Sequence, residues 1–555
     1  MGLVEDVLTR LSWSSATVIA IAGILVYYVV GRIDEELRLR RTGGLRAAYF
    51  SGRLPGNIDL VYQTVKANAQ FANLPHWQSI FKKVNNHTAE FRVLNRRIIF
   101  TDDVENIKAI LATQFSDYGK GEPFHREFKP FLGDSIFTTD GSSWHASRQL
   151  LRPQFIKDRV SDLHTFENHL EIFFTAMSVG GDAGATAAAL AAQRAGTSPV
   201  SSLSANGLVL DISDLFFRYT LDVTTDFLLG KDTQSLTTPR QEFAEAFTEV
   251  QRVQSIISRT GPAQGIIPRG SYNRGLRVID KFINPFIDRA LLLSPEELEK
   301  TIHDNAGEHG HGGRYTFLHA LAQFTRDRQV LRDQLMAVLL AGRDTTAATL
   351  SWSIYELSKK PECVKRLRAE IAEYVGVEGS DKGCRNPTYA DLKAMKYLQH
   401  VLNETLRLYP AVPFNVRLAL KDTTLPTGGG PDGNEPVAIL KDTPIGYSAL
   451  VMQRRADLYP AHSSPANDFD PDRWNSWQPK PWQYIPFNGG PRICIGQQFA
   501  LTEMGYVLVR LFQKYDRVVS HMDAVDGGSP KLKSDIVLTP GDGVKVAFFT
   551  PSKVQ

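Results

Sequence analysis

Apolar residues recur at helical spacing through most long segments of the chain, for example over residues 344–360 and 391–408. Short extended runs that are typical of strands interrupt this pattern at residues 98–101 and 416–420. The sequence contains no internal repeat, and no second linker is evident beyond residue 56. The pattern therefore predicts one large helical globule, residues 57–555, that is mainly α with minor β and carries a small β-rich region.

One apolar segment, residues 13–31, departs from the amphipathic pattern. It contains no formally charged residue, and its length is close to the ~20 residues that a helix needs to cross a bilayer. Arginines flank it unevenly, because Arg10 precedes it and four follow it, at Arg32, Arg38, Arg40 and Arg41. By the positive-inside rule we expect the globule in the cytosol and residues 1–12 in the lumen. The segment predicts a single-pass signal anchor.

Two alternatives for this segment are a cleaved secretory peptide and a buried core helix. A cleaved signal begins with basic residues and ends at a small-residue cleavage site. Here the chain begins with Glu5 and Asp6 and continues from the apolar segment into arginine-rich sequence. A retained anchor is therefore favoured.

Three segments are rich in glycine or small residues. Residues 32–56 are expected to be a linker between anchor and globule, and residues 176–206 a flexible surface insertion. Residues 304–313 are expected to be a flexible loop. Potential metal ligands lie in and beside that loop, at His303, Glu308, His309 and His311. The flanking glycines offer no rigid scaffold for ligand geometry, so a solvated loop is favoured over a metal site.

Composition narrows the class of protein. Apolar residues make up 43% of the 555 and charged residues 22%, which excludes a wholly disordered chain. The 63 Lys and Arg nearly balance the 60 Asp and Glu, so nucleic acid is not an expected partner. The three cysteines, Cys363, Cys384 and Cys494, are too few for a disulfide framework, and the globule is expected in a reducing compartment.

The most informative cysteine is Cys494. Glycine and proline crowd the residues before it, and apolar residues after it recur at helical spacing, so it lies where a loop enters a helix. Unpaired N–H groups and the helix dipole favour an anionic, metal-binding sulfur there. Gly490 and Gly496 would let the backbone approach something flat and bulky. The alternative, an ordinary buried cysteine in a core turn, is the usual state of a free cysteine taken alone.

Around Cys494 the residues Phe487, Gly490, Arg492, Cys494 and Gly496 form the pattern F-x-x-G-x-R-x-C-x-G. In this long motif the chain resembles the cytochrome P-450 family. The resemblance implies the cytochrome P-450 fold, haem b as cofactor and Cys494 as the axial ligand of the haem iron. It further implies that Phe487 shields the sulfur and that Arg492 binds a haem propionate.

A second motif lies in an apolar helix. The string AGRDTT, residues 341–346, is similar to the oxygen-binding helix of the family. That similarity implies that Thr345 holds dioxygen and water by hydrogen bonding and that Asp344 helps to relay protons. The alternative is that Thr345 and Thr346 merely bond to carbonyls one turn earlier, as mid-helix threonines do.

Further family signatures follow in order. Glu404 and Arg407 stand at i and i+3, and the resemblance implies that Arg473 joins them in an ion-pair network that holds the core together. Three other residues resemble haem-propionate ligands of the family: Trp144 and Arg148, in the string WHASR, and Arg417, ten residues after Arg407.

Longer strings, such as LRDQLMAVLLAGRDTTAATLSWSIYELSK, resemble the fungal membrane-bound branch that hydroxylates n-alkanes and fatty acids. That resemblance implies a distal pocket with an apolar wall, which suits a hydrocarbon chain. Its expected members are Leu339, Leu340, Ala341, Val412, Phe414, Val416 and Leu538. The alternative is that these residues are plain core.

The resemblance implies a monooxygenase in the endoplasmic reticulum membrane that inserts one oxygen atom of O₂ into a C–H bond of a lipophilic substrate. Its electrons would come from NADPH through NADPH–cytochrome P-450 reductase. The reductase would dock on a positive face that includes Arg148, Arg152, Lys480 and Arg492. The alternatives are a tailoring monooxygenase of secondary metabolism, a haem-binding sensor or carrier without turnover, and a rearrangement enzyme acting on hydroperoxides.

Overall fold

A computed structural model describes residues 13–93, 96–155, 163–196, 204–303, 316–380 and 383–551. Its α-helices are α1 (Trp13–Arg41), α2 (Ile58–Ala69), α3 (Asn73–Val84), α4 (Val104–Lys108), α5 (Gly121–Leu132), α6 (Gly141–Leu151), α7 (His164–Ser178), α8 (Ala183–Arg194), α9 (Ile212–Leu229), α10 (Glu242–Thr260), α11 (Gly270–Leu292), α12 (Pro295–His303), α13 (Phe317–Phe324), α14 (Arg328–Leu357), α15 (Pro361–Tyr374), α16 (Tyr389–Ala394), α17 (Lys396–Leu408), α18 (Ala449–Met452), α19 (Arg473–Ser476), α20 (Gln497–Lys514) and α21 (Asp523–Asp526). The prediction of a mainly α protein with minor β is confirmed.

The strands are short. They are β1 (Ala48–Tyr49), β2 (Thr88–Val93), β3 (Arg96–Thr101), β4 (Tyr118–Gly119), β5 (Val209–Asp211), β6 (Asn415–Ala419), β7 (Thr423–Gly429), β8 (Glu435–Ile439), β9 (Pro444–Tyr447), β10 (Arg517–Ser520), β11 (Leu532–Ser534), β12 (Leu538–Pro540) and β13 (Lys545–Phe549). One mixed sheet has the order β1-β2-β3-β9-β6-β4, and a smaller one has the order β10-β13-β5. The pairs β7–β8 and β11–β12 are antiparallel hairpins.

The helix that positions the site is α14, whose 30 residues run through the centre of the globule. Asp327 caps its first turn by accepting hydrogen bonds from the backbone of Gln329 and Val330. Most of its residues from Leu331 to Leu357 are buried, so it is apolar on nearly all sides. Polar groups within it therefore lie in the protein interior.

Within the described residues, one helix is long and apolar enough to cross a membrane. It comprises Thr17–Arg41, with a mean hydropathy of 1.7 and none of its apolar window buried. The helix does not stop where the apolar run ends, because α1 continues to Arg41. Residues 1–12, expected in the lumen, lie outside the described residues.

The expected linker, residues 32–56, differs from a free hinge. The end of α1 docks on the globule, where Arg38 binds Asp422 with an N–O distance of 2.7 Å and Leu39 is buried against Ala438 and Leu440. Beyond the helix, β1 pairs with β2. The residues at the end of α1 thus contact the globule. The glycine content of the segment did not predict this contact.

The expected insertion, residues 176–206, contains a helix. Alanine has the highest helix propensity, and Asp182 caps α8 by accepting a hydrogen bond from the backbone of Ala185. Ala183 and Thr186 are buried. The loop at 304–313 lies outside the described residues, and among those described no group of three His, Cys, Asp or Glu side chains could hold a metal ion.

Candidate active site

The Cys494 loop is built on a turn that requires glycine. Gly490 has φ +65°, and a Cβ on it would lie 1.9 Å from the carbonyl oxygen of Leu111. The backbone N–H of Cys494 donates to the carbonyl of Phe487 at 3.0 Å, which closes the loop. α20 begins at Gln497, directly after Gly496. The backbone therefore fixes the sulfur at the entrance of this helix, as the sequence predicts.

The thiol of Cys494 combines two features that rarely coincide. Its side chain is exposed, yet its depth in the protein raises its pKa by desolvation. A group that is both deep and accessible faces an internal cleft. The Gly496 N–H and Arg148 lower the pKa but do not outweigh burial. A cation bound to the sulfur would stabilise the thiolate far more strongly than the helix terminus does.

A cluster of cations lies on the same side of the molecule. Burial, followed by the charges of Arg417 and Arg492, lowers the pKa of Lys120 well below its ordinary value. Burial lowers the pKa of Arg492 to about 10, and its Nε has no hydrogen-bond partner among the described residues. Asp140 accepts a hydrogen bond from Arg492 Nη2 at 2.6 Å. Arg492 and Lys120 thus both lie near Asp140, and Arg417 lies close enough to lower the pKa of each.

This cluster of basic side chains fits the implied cofactor, because guanidinium and ammonium groups donate hydrogen bonds to carboxylates such as the two propionates of haem b. The Arg492 guanidinium also stacks over the Trp144 ring at 4.6 Å, which fixes its plane. Lys120 was not predicted from the sequence, because it lies in no recognised motif and is 372 residues from Arg492 in the chain.

Arg148 lies beside the cysteine loop. Its Nη1 donates to the carbonyl of Ile493 at 3.1 Å, and its charge lowers the pKa of Cys494. Trp144, one helical turn earlier on α6, is buried and contacts Arg492. The two residues predicted together as propionate ligands therefore contact different parts of the site.

Asp344 and Thr345 lie on α14. The Thr345 hydroxyl donates to the carbonyl of Ala341 at 2.7 Å. This is the bond to the preceding helical turn that the alternative interpretation of Thr345 predicts. That bond uses the hydroxyl proton and leaves the oxygen free to accept from another donor. Burial raises the pKa of Asp344, while Arg343 and Gln251 lower it to a lesser extent.

Arg343 is an unexpected polar neighbour in this turn. Its guanidinium lies 5.6 Å from the ring centres of both Phe217 and Phe247. Its Nη1 is 3.5 Å from Asp344 Oδ1, and its Nη2 donates to Thr248 Oγ1 at 3.2 Å. Desolvation and this cation act in opposite directions on Asp344, so its carboxyl can hold or release a proton.

Glu404, Arg407 and Arg473 form the predicted network, and their side chains are fully buried. Arg407 donates twice to Glu404, from Nε at 2.8 Å and from Nη2 at 2.7 Å, and Arg473 Nε donates at 3.3 Å. The same carboxylate accepts from the Asp470 N–H and from Trp474 Nε1, which the sequence did not indicate. One carboxylate thus compensates two buried guanidinium groups.

The predicted pocket residues fall into two groups. Val416 is 52% exposed although β6 lies within the large sheet, and Ala341, Val412 and Phe414 are half-buried. Leu339 and Leu340 are buried on α14. Leu538 is fully buried in the core, where its carbonyl accepts from Trp352 Nε1. Its neighbour Val537 packs instead against Ala348 and Ala411.

Glu503 is a buried acid that the motifs did not mark. Desolvation raises its pKa to about 8, Thr346 lowers it slightly, and neither carboxyl oxygen makes a hydrogen bond of normal geometry to the described residues. The folded protein therefore retains a proton that the unfolded chain releases near pH 4.5. Stability is expected to fall as the pH rises through this window.

We expect Glu503→Gln to remove the loss of stability that accompanies a rise in pH. The variant should unfold at a higher temperature than the parent at about pH 8.5, by several degrees, with little difference at about pH 4.5. Near-UV circular dichroism during heating measures the effect. Glu249→Gln is the control, because Arg252 lowers the pKa of Glu249 to about 2. A gain that does not change with pH would contradict the burial of an uncharged Glu503.

Comparisons with known proteins agree with these motifs. The sequence model of the family described as Cytochrome P-450 matches residues 70–544. The chain is 50% identical to cytochrome P-450 monooxygenase pvhE of Talaromyces variabilis, covering 100% of this chain and 99% of the relative. It is 37% identical to cytochrome P-450 52A12 of Debaryomyces hansenii, covering 96% and 97%. A crystal structure of the cytochrome P-450DA heme domain superposes with a TM-score of 0.68 at 19% identity, covering 92% of this chain and 98% of that chain.

Proposed function

The chain belongs to the cytochrome P-450 family and is a monooxygenase with the fold of that family, and from this premise we propose that it hydroxylates the terminal carbon of fatty acids or n-alkanes. The apolar residues Ala341, Phe414 and Val416 carry the proposal, because each is partly or largely exposed and such a surface suits a hydrocarbon chain. The yeast relatives and the resemblance to the fungal hydroxylase branch support it.

Haem, when bound, supplies the redox chemistry that activates O₂, with electrons that NADPH donates through NADPH–cytochrome P-450 reductase. Cys494 would bind the iron through its thiolate, and Phe487, in the same loop, would shield the sulfur. Arg492, Arg417 and Lys120 would hold the two propionates, with the Trp144 ring against Arg492. Gly490 and Gly496 allow the loop to approach the macrocycle.

Asp344 and Thr345 supply protons in the cleft. Burial raises the pKa of Asp344, which favours the protonated carboxyl, and the charge of Arg343 favours release of that proton. Thr345 Oγ1 accepts a hydrogen bond from water while it donates to Ala341. The pair would thereby hold a proton donor in an ordered position beside the reacting group.

Replacing Thr345 with alanine tests this role. We expect haem binding to persist, while most NADPH electrons form hydrogen peroxide and product per NADPH falls about tenfold, because the ordered proton donor is lost. Oxygen uptake, peroxide and product are measured together. Thr349→Ala is the control, since Thr349 bonds to its own preceding turn in the same helix. Equal coupling in Thr345→Ala and the parent would contradict the assignment.

The substrate is tested with purified protein, reductase and NADPH. We expect labelled dodecane or dodecanoic acid to yield the terminal alcohol. Oxidation of an aromatic or terpenoid substrate instead would favour tailoring of a secondary metabolite. Turnover of a hydroperoxide without reductase would favour a rearrangement enzyme, and spectral binding without any turnover would favour a sensor or carrier.

The membrane arrangement follows from α1. We propose that residues 13–31 span the endoplasmic reticulum membrane and place the globule on the cytosolic side, where lipophilic substrates enter from the bilayer. The reductase docks on the face around the cysteine loop, through the charges of Arg148, Arg152 and Lys480. Arg492 is engaged with Asp140 and contributes little there.

A further inference from the structure

One row of polar residues on α10 contacts α14 and the turn between β11 and β12. Thr248, Gln251, Ser255 and Arg259 follow each other at intervals of three and four residues, so they lie in one row along the helix. Phe247 and Val253, at other positions of the helix, are buried and apolar. We call these four residues the polar row.

The polar row begins at the proton-supplying turn of α14. Thr248 accepts a hydrogen bond from Arg343, and Gln251 lowers the pKa of Asp344. The row ends at Arg259, eight residues after Gln251 along α10. Eight residues of helix rise about 12 Å, a distance that an extended chain of roughly ten carbon atoms spans.

At its outer end the polar row meets the turn between β11 and β12. Arg259 Nη2 donates to the carbonyls of Ser534 and Asp535, the latter at 2.8 Å. Its Nη1 is 3.6 Å from Asp535 Oδ1, which also accepts from Ser255 Oγ at 3.4 Å. Both contacts to this carboxylate are long, so Asp535 pairs only loosely with the guanidinium.

The same turn reaches the interior cleft. Val537, two residues after Asp535, packs against Ala348, which lies one helical turn beyond Asp344 on α14. Arg259 is therefore connected to the reaction site both along α10 and across this turn. Its side chain is 35% exposed, so a ligand can reach the guanidinium from outside the protein.

We propose that Arg259 binds the carboxylate of a fatty acid substrate at the mouth of the cleft, while the hydrocarbon chain extends beneath α10 towards Asp344 and Thr345. The proposal rests on the proposed hydroxylation of lipids and names the acid as the preferred class over the alkane. A guanidinium offers a planar fork of donors that matches a carboxylate, and the substrate replaces the loosely held Asp535.

The test compares dodecanoic acid with methyl dodecanoate, which has a similar chain and no charge. Spectral titration of the ferric holoenzyme gives the dissociation constant of each. We expect Arg259→Gln to weaken binding of the acid by about tenfold or more and to leave the ester unchanged within about twofold. Arg328→Gln, which removes an exposed arginine that pairs with Asp288 at the start of α14, should change neither constant.

Asp535→Asn provides a test that does not remove the guanidinium. We expect it to tighten binding of the acid several-fold, because the competing carboxylate is gone, and to leave the ester unchanged. If the parent binds both ligands and Arg259→Gln weakens both equally, Arg259 serves only to hold α10 against the turn, and this inference is wrong. If the parent binds neither the acid nor the ester, the proposed lipid hydroxylation itself is wrong.

Discussion

Cys494→Ala is expected to abolish monooxygenation, with the rate of product formation falling by roughly a thousandfold or more. The variant lacks the sulfur that we propose as the iron ligand, whose negative charge would promote activation of O₂. Its fold should persist, because the Cys494 side chain is exposed to the cleft and takes no part in the core. Product formation with reductase and NADPH measures the loss, and near-UV circular dichroism verifies the fold.

The other two cysteines are matched controls. Cys384 is exposed and Cys363 is buried against α17 residues such as Tyr397. We expect Cys384→Ala and Cys363→Ala to retain turnover, the latter with a modest loss of stability from the small cavity. Full turnover by a folded Cys494→Ala, or loss of turnover in Cys384→Ala, would contradict the assignment of the ligand.

Glu404→Gln is expected to have the largest effect on stability, lowering the free energy of unfolding by about 3–5 kcal/mol. Glutamine keeps the shape of the side chain but leaves Arg407 and Arg473 buried without their counter-charge. Amide groups also cannot accept all the donors that converge on this carboxylate. Denaturant unfolding and the yield of haem-loaded protein measure the change.

The matched control is Glu105→Gln. Glu105 pairs with Lys108 at 3.0 Å, also at i and i+3, but both side chains are exposed. We expect a change of at most about 1 kcal/mol there. Equal stability changes in the two variants would mean that the buried network does not hold the core around the cysteine loop.

Sequence reasoning succeeded where the relevant residues lie close together in the chain. The loop from Phe487 to Gly496 and the string containing Asp344 and Thr345 are continuous, and each lies in the kind of element that its pattern indicates. Helical periodicity likewise predicted the α-rich fold. The pairing of Glu404 with Arg407 also follows from the i, i+3 spacing, and that with Arg473 from the resemblance, whereas the contacts of Glu404 with the Asp470 N–H and with Trp474 were not predicted.

Features that depend on contacts between distant segments could not be predicted. Lys120 joins Arg417 and Arg492 only through the packing of β4, β6 and the cysteine loop. The polar row on α10 resembles a solvent face in sequence, and only the turn after β11 shows that Arg259 has an inward partner. The contact of α1 with the globule could not be predicted for the same reason, because charged residues after an anchor are normally exposed to solvent.

The most direct test of the central claim, that Cys494 binds haem iron as a thiolate, is the absorption spectrum of the dithionite-reduced protein under carbon monoxide. We predict the strongly red-shifted Soret peak that a thiolate ligand produces. A natively folded, haem-loaded sample whose peak lies instead at the shorter wavelength of a haem without thiolate ligation would contradict the account.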